Sequence, residues 1–431
     1  MRKLRNNSVI LALKWSKAMS EWKEYKLKDF LLIPIRNGLT KPSAIRGNGV
    51  KMIGMKEIFA MDLIRSVDMD RVPVTEKEYA SSAIQERDLL FARQSLTLEG
   101  AGKCSIVLSV DEPTVFESHL IRLRIDNQKA NPFFLYYYFK SPYGKNQIKS
   151  LVQQVAAAGI KGKELIELDI KAPSINIQNK IVEILFSLDS KIENNRRINE
   201  NLELQAQALF KAWFVDFKPF KDGEFVESKL GMIPKGWRVG TLNEILVLQK
   251  NNIKKGADTT LPYLPIDIIP MHSLGITEFK DNSVAQSSLQ TFEKNEIIVG
   301  AMRVYFHRVV IAPCKGITRN TCFVLKPKNI DMWAYSILQC NQEDAINYAN
   351  RTSKGSTMPY AVWDNGFGNY KIIIPNLDVL HRFNNLLYPV LEKLRDSYKE
   401  NQVLSNIRDT LLPKLMSGEL RVPDRDLINE M

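Results

Sequence analysis

Short basic and aromatic segments hold the side chains with the clearest chemical potential. In Arg303-Val-Tyr-Phe-His-Arg308, two guanidinium groups and an imidazole flank two aromatic rings. An arginine can donate two hydrogen bonds to guanine O6 and N7, and basic side chains in loops pair with phosphates. The predicted nucleic-acid contacts are Arg303, Tyr305, His307, Arg308, Arg319, Arg351 and Lys354, and, in the first half of the chain, Arg93, Gln94, Lys103, Lys161 and Lys163. For each residue taken singly, a solvated surface charge is the alternative.

Sequence motifs for catalysis are incomplete. An adenine methyltransferase needs a glycine-rich AdoMet loop and an Asp/Asn-Pro-Pro-aromatic motif. Asn131-Pro-Phe-Phe134 lacks the second proline, and Gly366-Phe-Gly368 is a lone GxG. Asn131 and Pro132 are typical of a helix start, with the asparagine as N-cap and the proline in the first turn. No convincing nuclease pattern of paired carboxylates with a lysine is found.

Histidine and cysteine spacing also gives no recognisable metal motif. The four histidines are scattered, and each is predicted to make polar contacts or lie at the surface: His119, His272, His307 and His381. The four cysteines show no Cys-x-x-Cys spacing: Cys104, Cys314, Cys322 and Cys340. A disulfide framework or zinc ribbon is therefore disfavoured, and a reducing compartment is expected.

The composition favours a globular protein with an acidic partner. Its 431 residues include 60 lysines and arginines against 48 aspartates and glutamates, giving a formal net charge of +12. This modest excess favours nucleic acid without requiring it. No run approaches the ~20 apolar residues of a membrane helix, and the apolar stretch Val9–Leu13 is too short for a signal peptide. We expect a cytoplasmic protein with an N-terminal extension at 1–18 and a folded start at Met19.

Two long helices are predicted to organise the chain. Asn176–Phe217 lacks proline and glycine and repeats seam residues every seven positions, which is typical of a coiled coil. Val379–Leu415 repeats the pattern 202 residues later, since position 383 follows position 181 by 202. The predicted seams are Ile181, Leu188, Asn195, Leu202 and Leu209, and Phe383, Val390, Ser397, Leu404 and Leu411. One polar residue interrupts each seam at the same place, which costs stability but fixes register.

A similar globular segment precedes each long helix. Trp22 and Trp237 open these segments, and Asp88 and Glu296 each precede a buried-type strand. The interpretation is an internal repeat with pseudo-two-fold symmetry: two mixed α/β (α+β) globular domains and two long antiparallel coiled-coil helices. The predicted domains are an extension at 1–18, globular domains at 19–175 and 236–375, helices at 176–218 and 376–431 (with the tail), and a linker at 219–235. Shorter helices are predicted at 131–151 and 331–349.

Four sequence strings support a family resemblance. They are Glu21-Trp-Lys-Glu-Tyr-Lys-Leu27, Ile233-Pro-Lys-Gly-Trp-Arg-Val-Gly-Thr-Leu242, Ala208-Leu-Phe-Lys-Ala-Trp-Phe-Val-Asp-Phe217 and Thr410-Leu-Leu-Pro-Lys-Leu-Met-Ser-Gly-Glu-Leu420. Together with the repeat, they make the chain resemble the specificity (S) subunits of type I restriction–modification enzymes. The resemblance extends from about Trp22 to Val422.

The resemblance implies a function and a set of partners. Two target recognition domains would each read half of a bipartite, asymmetric site in double-stranded DNA, and the antiparallel helices would act as a ruler. The helices would also dock two modification (M) subunits, which carry AdoMet and methylate adenine. Restriction (R) subunits, which use ATP and Mg, would cleave unmethylated DNA. The S subunit itself would have no catalytic residues, bound cofactor, metal or membrane contact.

Two other functions are the alternatives. One is a restriction-type enzyme with its own methyltransferase or nuclease activity, and AdoMet binding by the isolated chain would favour it. The other is a coiled-coil scaffold whose globular domains bind proteins. Gel shifts with M subunits on DNA would separate a scaffold from a DNA-binding subunit.

Overall fold

The computed structural model describes residues 22–154, 158–254, 260–285 and 288–422. The expected extension at 1–18 and the start at Met19 lie outside these residues. The chain divides into two compact units: unit 1 comprises Met1–Leu188 with Ile407–Met431, and unit 2 comprises Asp189–Asn406. The division falls within both long helices, which therefore contribute to each unit. None of the described helices is both long and apolar enough to cross a membrane.

Unit 1 consists of short strands, small helices and one end of each long helix. Its strands are β1 Lys23–Lys26, β2 Arg36–Asn37, β3 Val50–Ile53, β4 Leu63–Ile64, β5 Arg71–Val72, β6 Leu89–Ala92, β7 Gln94–Ser95, β8 Cys104–Val107, β9 Thr114–Phe116, β10 Leu120–Leu123, β11 Gln153–Gln154, β12 Ala158–Gly159 and β13 Asp169–Ala172. Its short α-helices are α1 Met55–Ala60, α2 Glu76–Ser82, α3 Pro132–Lys140, α4 Pro142–Leu151 and α5 Gly162–Leu165.

A five-stranded sheet ordered β2-β10-β6-β8-β4 is the centre of unit 1. All four residues of β6 are buried, as expected for an unbroken apolar strand covered on both faces. The aromatic helix α3 covers the sheet, and the rings of Phe91 and Phe139 meet edge to face with centroids 5.0 Å apart. Smaller sheets β5-β3-β9, β11-β12-β7 and β1-β13 complete the unit.

Unit 2 repeats this plan with different detail. Its strands are β14 Phe225–Ser228, β15 Gly231–Pro234, β16 Arg238–Thr241, β17 Leu246–Leu248, β18 Asn252–Ile253, β19 Tyr263–Leu264, β20 Leu289–Phe292, β21 Ile297–Gly300, β22 Val309–Ile311, β23 Gly316–Arg319, β24 Cys322–Pro327 and β25 Lys371–Ile374. The central sheet is ordered β17-β24-β21-β22, beside β18-β20-β23-β19, β16-β25 and β14-β15.

The two long helices are α6 Ile175–Phe214 and α10 Leu377–Met416, each of 40 residues. Between them in the chain lie the short helices α7 Leu242–Ile245, α8 Trp333–Cys340 and α9 Glu343–Arg351. The long pair is antiparallel. In unit 2, Asn195 bonds to Glu400, whereas Phe210, later in α6, meets the ring of Phe383, earlier in α10. In unit 1, Ile181 belongs to the same core as Leu412.

Burial along the helix pair follows a broader stripe than the predicted seam. Among the predicted seam residues, Ile181, Asn195, Phe383 and Ser397 are buried. The others lie half-buried: Leu188, Leu202, Leu209, Val390, Leu404 and Leu411. Apolar residues four positions after a seam residue, which the repeat predicts on the same side of the helix, are fully buried, including Ala206, Leu387 and Leu394. The globular segments cover additional faces of the helices, so the stripe is wider than a two-helix seam requires.

Three predicted elements differ from the structure. The helix predicted at 131–151 is two helices, because Ser141 precedes Pro142, adopts an extended backbone and caps α4 through Gly144 N. The helix predicted at 331–349 breaks between α8 and α9, where Gln342 is extended. The segment 219–235 contains the hairpin β14–β15 rather than a plain linker, and Gly231 turns it with φ of 95°.

Candidate nucleic-acid interface

In unit 1, the end of β6 meets the segment that precedes α5. Arg93 N donates to His119 O at 2.7 Å, and Ile160 N donates to Arg93 O at 2.9 Å. Immediately beyond, Gln94 of β7 is paired with Gly159 of β12. The structure thus brings the Arg93–Gln94 segment together with residues 158–163, which include the predicted Lys161 and Lys163. Gln94 is exposed at this edge, while Arg93 is half-buried.

The three predicted lysines of unit 1 differ in availability. Lys103 Nζ donates to the backbone oxygen of Phe59 at 3.0 Å and lies 3.5 Å from Asp62 Oδ1. Burial works to raise the pKa of Asp62, but Lys140 and Lys103 outweigh it and hold that pKa below its ordinary value. Lys103 therefore faces an ionised carboxylate inside the unit.

The other two lysines lie at the surface. Lys161 pairs with Glu164 at 3.2 Å, yet its side chain is 63% exposed. Lys163, in the first turn of α5, is exposed and has no ion pair within the described parts of the chain. Exposed pairs of this type contribute little stability and exchange partners easily. Lys161 and Lys163 are therefore free to meet an anion.

In unit 2, the corresponding edge follows β21. Ala301 N donates to Thr321 O at 2.9 Å, and Ala361 N donates to Ala301 O at 2.8 Å. Thr321 follows His119 by 202 residues, the same separation that relates the long helices. Both units therefore have the same hydrogen-bonded junction at the end of their central strand, made from equivalent parts of the repeat.

Arg303 lies at this junction with an exposed side chain. Its backbone is left-handed, with φ of 49°, and its N–H donates to Pro359 O at 2.8 Å. Single bridges connect Tyr360 to both Met302 and Lys354. The predicted segment 303–308 and the predicted Lys354 are thus adjacent. No ion pair engages Arg303, Arg351 or Lys354 among the residues that the structure describes, and all three are exposed.

The other predicted residues of unit 2 are either exposed at the surface or half-buried against neighbouring side chains. The Tyr305 side chain is 47% exposed. The Arg308 guanidinium lies over the Phe306 ring at 5.0 Å, and its Nε is buried with no hydrogen-bond partner among the described residues. Arg319, which ends β23, also has a buried Nε without such a partner, as does Arg93 in unit 1. A buried unpaired donor is costly, so these half-buried arginines would gain from an anionic acceptor.

His307 is placed differently from its predicted neighbours. Only 5% of the residue is exposed. Its Nδ1 lies 3.1 Å from Glu343 Oε2, and its Nε2 lies 2.9 Å from Asn341 Oδ1. Both ring nitrogens have polar neighbours within unit 2, so His307 lies beneath this edge and, unlike Arg303, does not present its side chain at the surface.

Exposed apolar residues at both edges were missed by the sequence interpretation. Leu96, just after β7, is 100% exposed, and Met358 and Tyr360 are 51% and 47% exposed. Apolar and aromatic side chains can contact bases or wedge between them. The available signal was a glycine within five positions of each, Gly100 or Gly355, because glycine-containing turns mark the tips of loops.

Comparisons with known proteins find relatives in both sequence and fold. A family model for the type I restriction modification DNA specificity domain matches residues 19–204. The MjaIX type I restriction enzyme specificity subunit of Methanocaldococcus jannaschii is 28% identical over 429 residues, which cover 95% of each chain. The EcoKI specificity subunit of Escherichia coli K12 is 26% identical over 199 residues, 44% of this chain and 42% of that one.

A solved structure has a similar fold. The S subunit of a type I restriction–modification system from M. genitalium aligns with a TM-score of 0.55 and 16% identity, covering 94% of this chain and 96% of that chain. The fold likeness extends over both units and both long helices, as does the similarity in sequence to the MjaIX subunit. Residues 19–204 thus match the type I restriction modification DNA specificity domain, and the chain as a whole is similar to the specificity subunits of type I restriction–modification systems.

Proposed function

We propose that this specificity subunit reads a bipartite, asymmetric DNA sequence, one part with each unit. As a specificity subunit, the chain is the non-catalytic part of its complex that recognises the DNA target. The observation that carries the finer proposal is the repeated junction. Ile160 N donates to Arg93 O in unit 1, and Ala361 N donates to Ala301 O in unit 2.

The side chains around the two junctions differ, which suits an asymmetric target. Unit 1 offers the amide of Gln94 with Lys161 and Lys163, whereas unit 2 offers Arg303 and Tyr305. Glutamine pairs best with adenine N6 and N7, and arginine with guanine O6 and N7. The two units would therefore prefer different bases, even though their backbones form the same junction.

Electrostatics supports binding to DNA. The chain has a net charge of +12. Four of the predicted cations are exposed and lack an ion pair among the described residues: Lys163, Arg303, Arg351 and Lys354. Phosphate contacts supply most of the affinity and position the protein, and the fewer base contacts supply sequence. Lys163, Arg351 and Lys354 are proposed for phosphates, and Gln94 and Arg303 for bases.

The partners proposed here follow from the similarity to specificity subunits. Two M subunits would dock on the helix pair α6 and α10, bind AdoMet and methylate adenine. R subunits would add ATP- and Mg-dependent cleavage of unmethylated sites. The complex would act on cytoplasmic DNA, and this chain would bind neither AdoMet nor ATP.

Methylation mapping tests the proposal. The chain is expressed with its M subunits in a bacterial host that lacks adenine methylation, and methylated adenines are located by sequencing. We expect a single motif made of two defined parts separated by undefined bases. Gln94→Ala should change only one part, and Arg303→Ala only the other.

A matched control is available on α10. Arg382 is also exposed and has no ion pair within the described parts of the chain, but it lies outside both junctions. Arg382→Ala should leave the motif unchanged. An uninterrupted motif, or a change in the same part for both junction variants, would contradict the assignment of one part to each unit.

A further inference from the structure

Three potential metal ligands converge in unit 2 from distant parts of the sequence. His307 follows His272 by 35 residues and precedes Glu343 by 36, so no spacing motif announces them. His272 lies in a loop, His307 lies between β21 and β22, and Glu343 begins α9. One ligand atom from each can be chosen so that all three lie within 4.8 Å of one another. We propose that His272, His307 and Glu343 bind a divalent transition-metal ion.

The hydrogen bonds of His307 define its tautomer. Nε2 lies 3.1 Å from the backbone oxygen of Asn341 and 2.9 Å from its side-chain oxygen. A carbonyl oxygen can only accept, so Nε2 must carry a proton. In a neutral ring, Nδ1 then has a lone pair. An outer hydrogen bond that fixes the second ring nitrogen is a regular feature of metal-binding histidines.

The other side of the ring holds an unresolved pair of acceptors. Nδ1 of His307 lies 3.1 Å from Glu343 Oε2. An ionised carboxylate oxygen can only accept a hydrogen bond. Two lone pairs facing each other at this distance require a shared cation, either a proton or a metal. The site also contains a second imidazole, because the His272 ring centre lies 4.6 Å from that of His307. A proton leaves this second ring without a role, whereas a metal ion uses all three groups.

The loop that carries His272 is fixed in place. His272 N donates to His307 O at 2.9 Å, which links the backbones of two ligands directly. The next residues are held by the long helices, because Ser273 Oγ and Leu274 N donate to Glu203 Oε1 at 2.9 and 3.1 Å. A preformed arrangement of this type reduces the ordering cost of binding an ion.

Gly275 holds the same loop against α10. A Cβ on Gly275 would lie 1.5 Å from a ring carbon of Tyr398, so the loop backbone lies directly on that ring. The His272 side chain itself is exposed, as is that of Glu343. The backbone beside His272 is therefore held by contacts with both long helices, while two of the three ligands lie at the surface.

The ligand set indicates which metal ions would bind. Two imidazole nitrogens and one carboxylate suit Zn²⁺ and its transition-metal neighbours, whereas Mg²⁺ and Ca²⁺ prefer oxygen ligands alone. Tetrahedral Zn²⁺ with bonds of ~2.0–2.2 Å places its ligand atoms ~3.3 Å apart. The His307–Glu343 separation of 3.1 Å is already close to that value. The ion would connect the segment 303–308 to the start of α9.

Metal titration of the whole chain tests this proposal. After removal of metal by a chelator, Zn²⁺ is titrated in competition with a chromogenic chelator, and Mg²⁺ serves as the comparison ion. We expect one equivalent of Zn²⁺ per chain and no comparable Mg²⁺ binding. Loss of a residue that only hydrogen-bonds to a metal ligand typically weakens metal binding ~10–100-fold. Because His272 and Glu343 would contact the ion directly, His272→Ala and Glu343→Gln should each weaken Zn²⁺ binding by at least that factor. Both positions are exposed, so the variants should fold.

His381 gives the matched control. Its Nδ1 lies 2.9 Å from Asp331 Oδ1, a histidine–carboxylate pair outside the three-ligand cluster. His381→Ala should bind Zn²⁺ as the unaltered chain does, and Zn²⁺ should raise the melting temperature of both, but not that of His272→Ala. Failure of the unaltered chain to bind one equivalent, or equal affinity in His272→Ala and Glu343→Gln, would overturn the proposal in favour of a protonated His307.

Discussion

The Asn195 side-chain amide donates to Glu400 Oε2 at 3.0 Å and to Asn401 Oδ1 at 2.9 Å, joining α6 to α10 in unit 2. Asn195 is part of a layer of buried polar residues between the two helices. Asn199 in α6 and Ser397 in α10 are each 1% exposed, and neither side chain has a hydrogen-bond partner within the described residues. A polar layer in an apolar seam costs stability but specifies one register of pairing.

Asn199→Leu should stabilise the chain. Both polar atoms of the Asn199 side chain are buried and have no hydrogen-bond partner in the described part of the chain, and such a group costs roughly 1–3 kcal/mol. We expect the free energy of unfolding to rise by about that amount, as measured by denaturant titration. Asn195→Leu is the control, because it removes two hydrogen bonds and should give no such gain. Destabilisation by Asn199→Leu would indicate that its amide has a partner in the folded protein.

Glu203→Gln should make stability less dependent on pH. Burial raises the pKa of Glu203 above its ordinary value of 4.5, despite hydrogen bonds from Tyr398, Ser273 and Leu274. Because the pKa is higher in the folded chain, this carboxyl contributes stability that is fully present below about pH 4.5 and is lost as the pH rises through the folded pKa.

The measurement is the melting temperature of the two chains between acidic and neutral pH. Glutamine keeps the acceptor oxygen and has no charge to bury. We therefore expect the melting temperature of Glu203→Gln to rise relative to that of the unaltered chain as the pH increases above 4.5. A constant difference across this range would contradict the linkage.

Arg124→Met should be the most destabilising of these substitutions. In unit 1, Arg124 Nε and one terminal nitrogen each lie 2.7 Å from a different oxygen of Asp88, which is 1% exposed. Removing the guanidinium leaves a buried carboxylate uncompensated, at a cost of about 3–5 kcal/mol. The double variant Asp88→Asn with Arg124→Met should recover part of that loss in the free energy of unfolding. Equal losses in the single and double variants would argue against the ion pair.

Much of this fold was predictable because the repeat is visible in the sequence. The seven-residue pattern indicated both long helices, and the structure confirms Asn131 as the N-cap of α3, accepting from Phe133 N. The acidic residues before the central strands were also visible, and Asp88 and Glu296 each accept from a backbone N–H three residues earlier. Local patterns of this type depend on neighbours in the chain, which the sequence displays.

One part that sequence reasoning missed had a local signal, whereas the others depend on distant residues or on loops. The break at Ser141 required weighing Pro142 against an otherwise continuous aromatic helix. The burial of His307 depends on Asn341, which lies 34 residues away. Exposed Leu96 depends on a loop with no periodic pattern. Such contacts form only when loops from different elements meet, so no spacing in the chain reveals them.

Arg303→Ala should lower DNA affinity by ~1–3 kcal/mol and relax one base position, if its guanidinium reads a base. Alanine keeps the Cβ, so the left-handed backbone at this position is not strained further. Lys354→Ala is the comparison. Loss of a phosphate contact should reduce the slope of log affinity against log salt concentration by about one unit, and it should weaken binding to all sequences alike. Binding of the assembled complex is measured by fluorescence anisotropy at several salt concentrations. Unchanged affinity and an unchanged motif would remove Arg303 from the interface.

Lengthening both long helices tests whether they set the spacing of the DNA target. The heptads Asn195–Asn201 and Leu394–Glu400 face each other, because Asn195 bonds to Glu400. Duplicating both keeps the antiparallel seam and adds about 10 Å at ~1.5 Å per residue, or about three base pairs at ~3.4 Å each. We expect the methylated motif to gain about three undefined bases, or methylation to cease. Duplication in one helix alone breaks the pairing and should abolish methylation, whereas full activity of the doubly lengthened chain at the original spacing would refute a ruler.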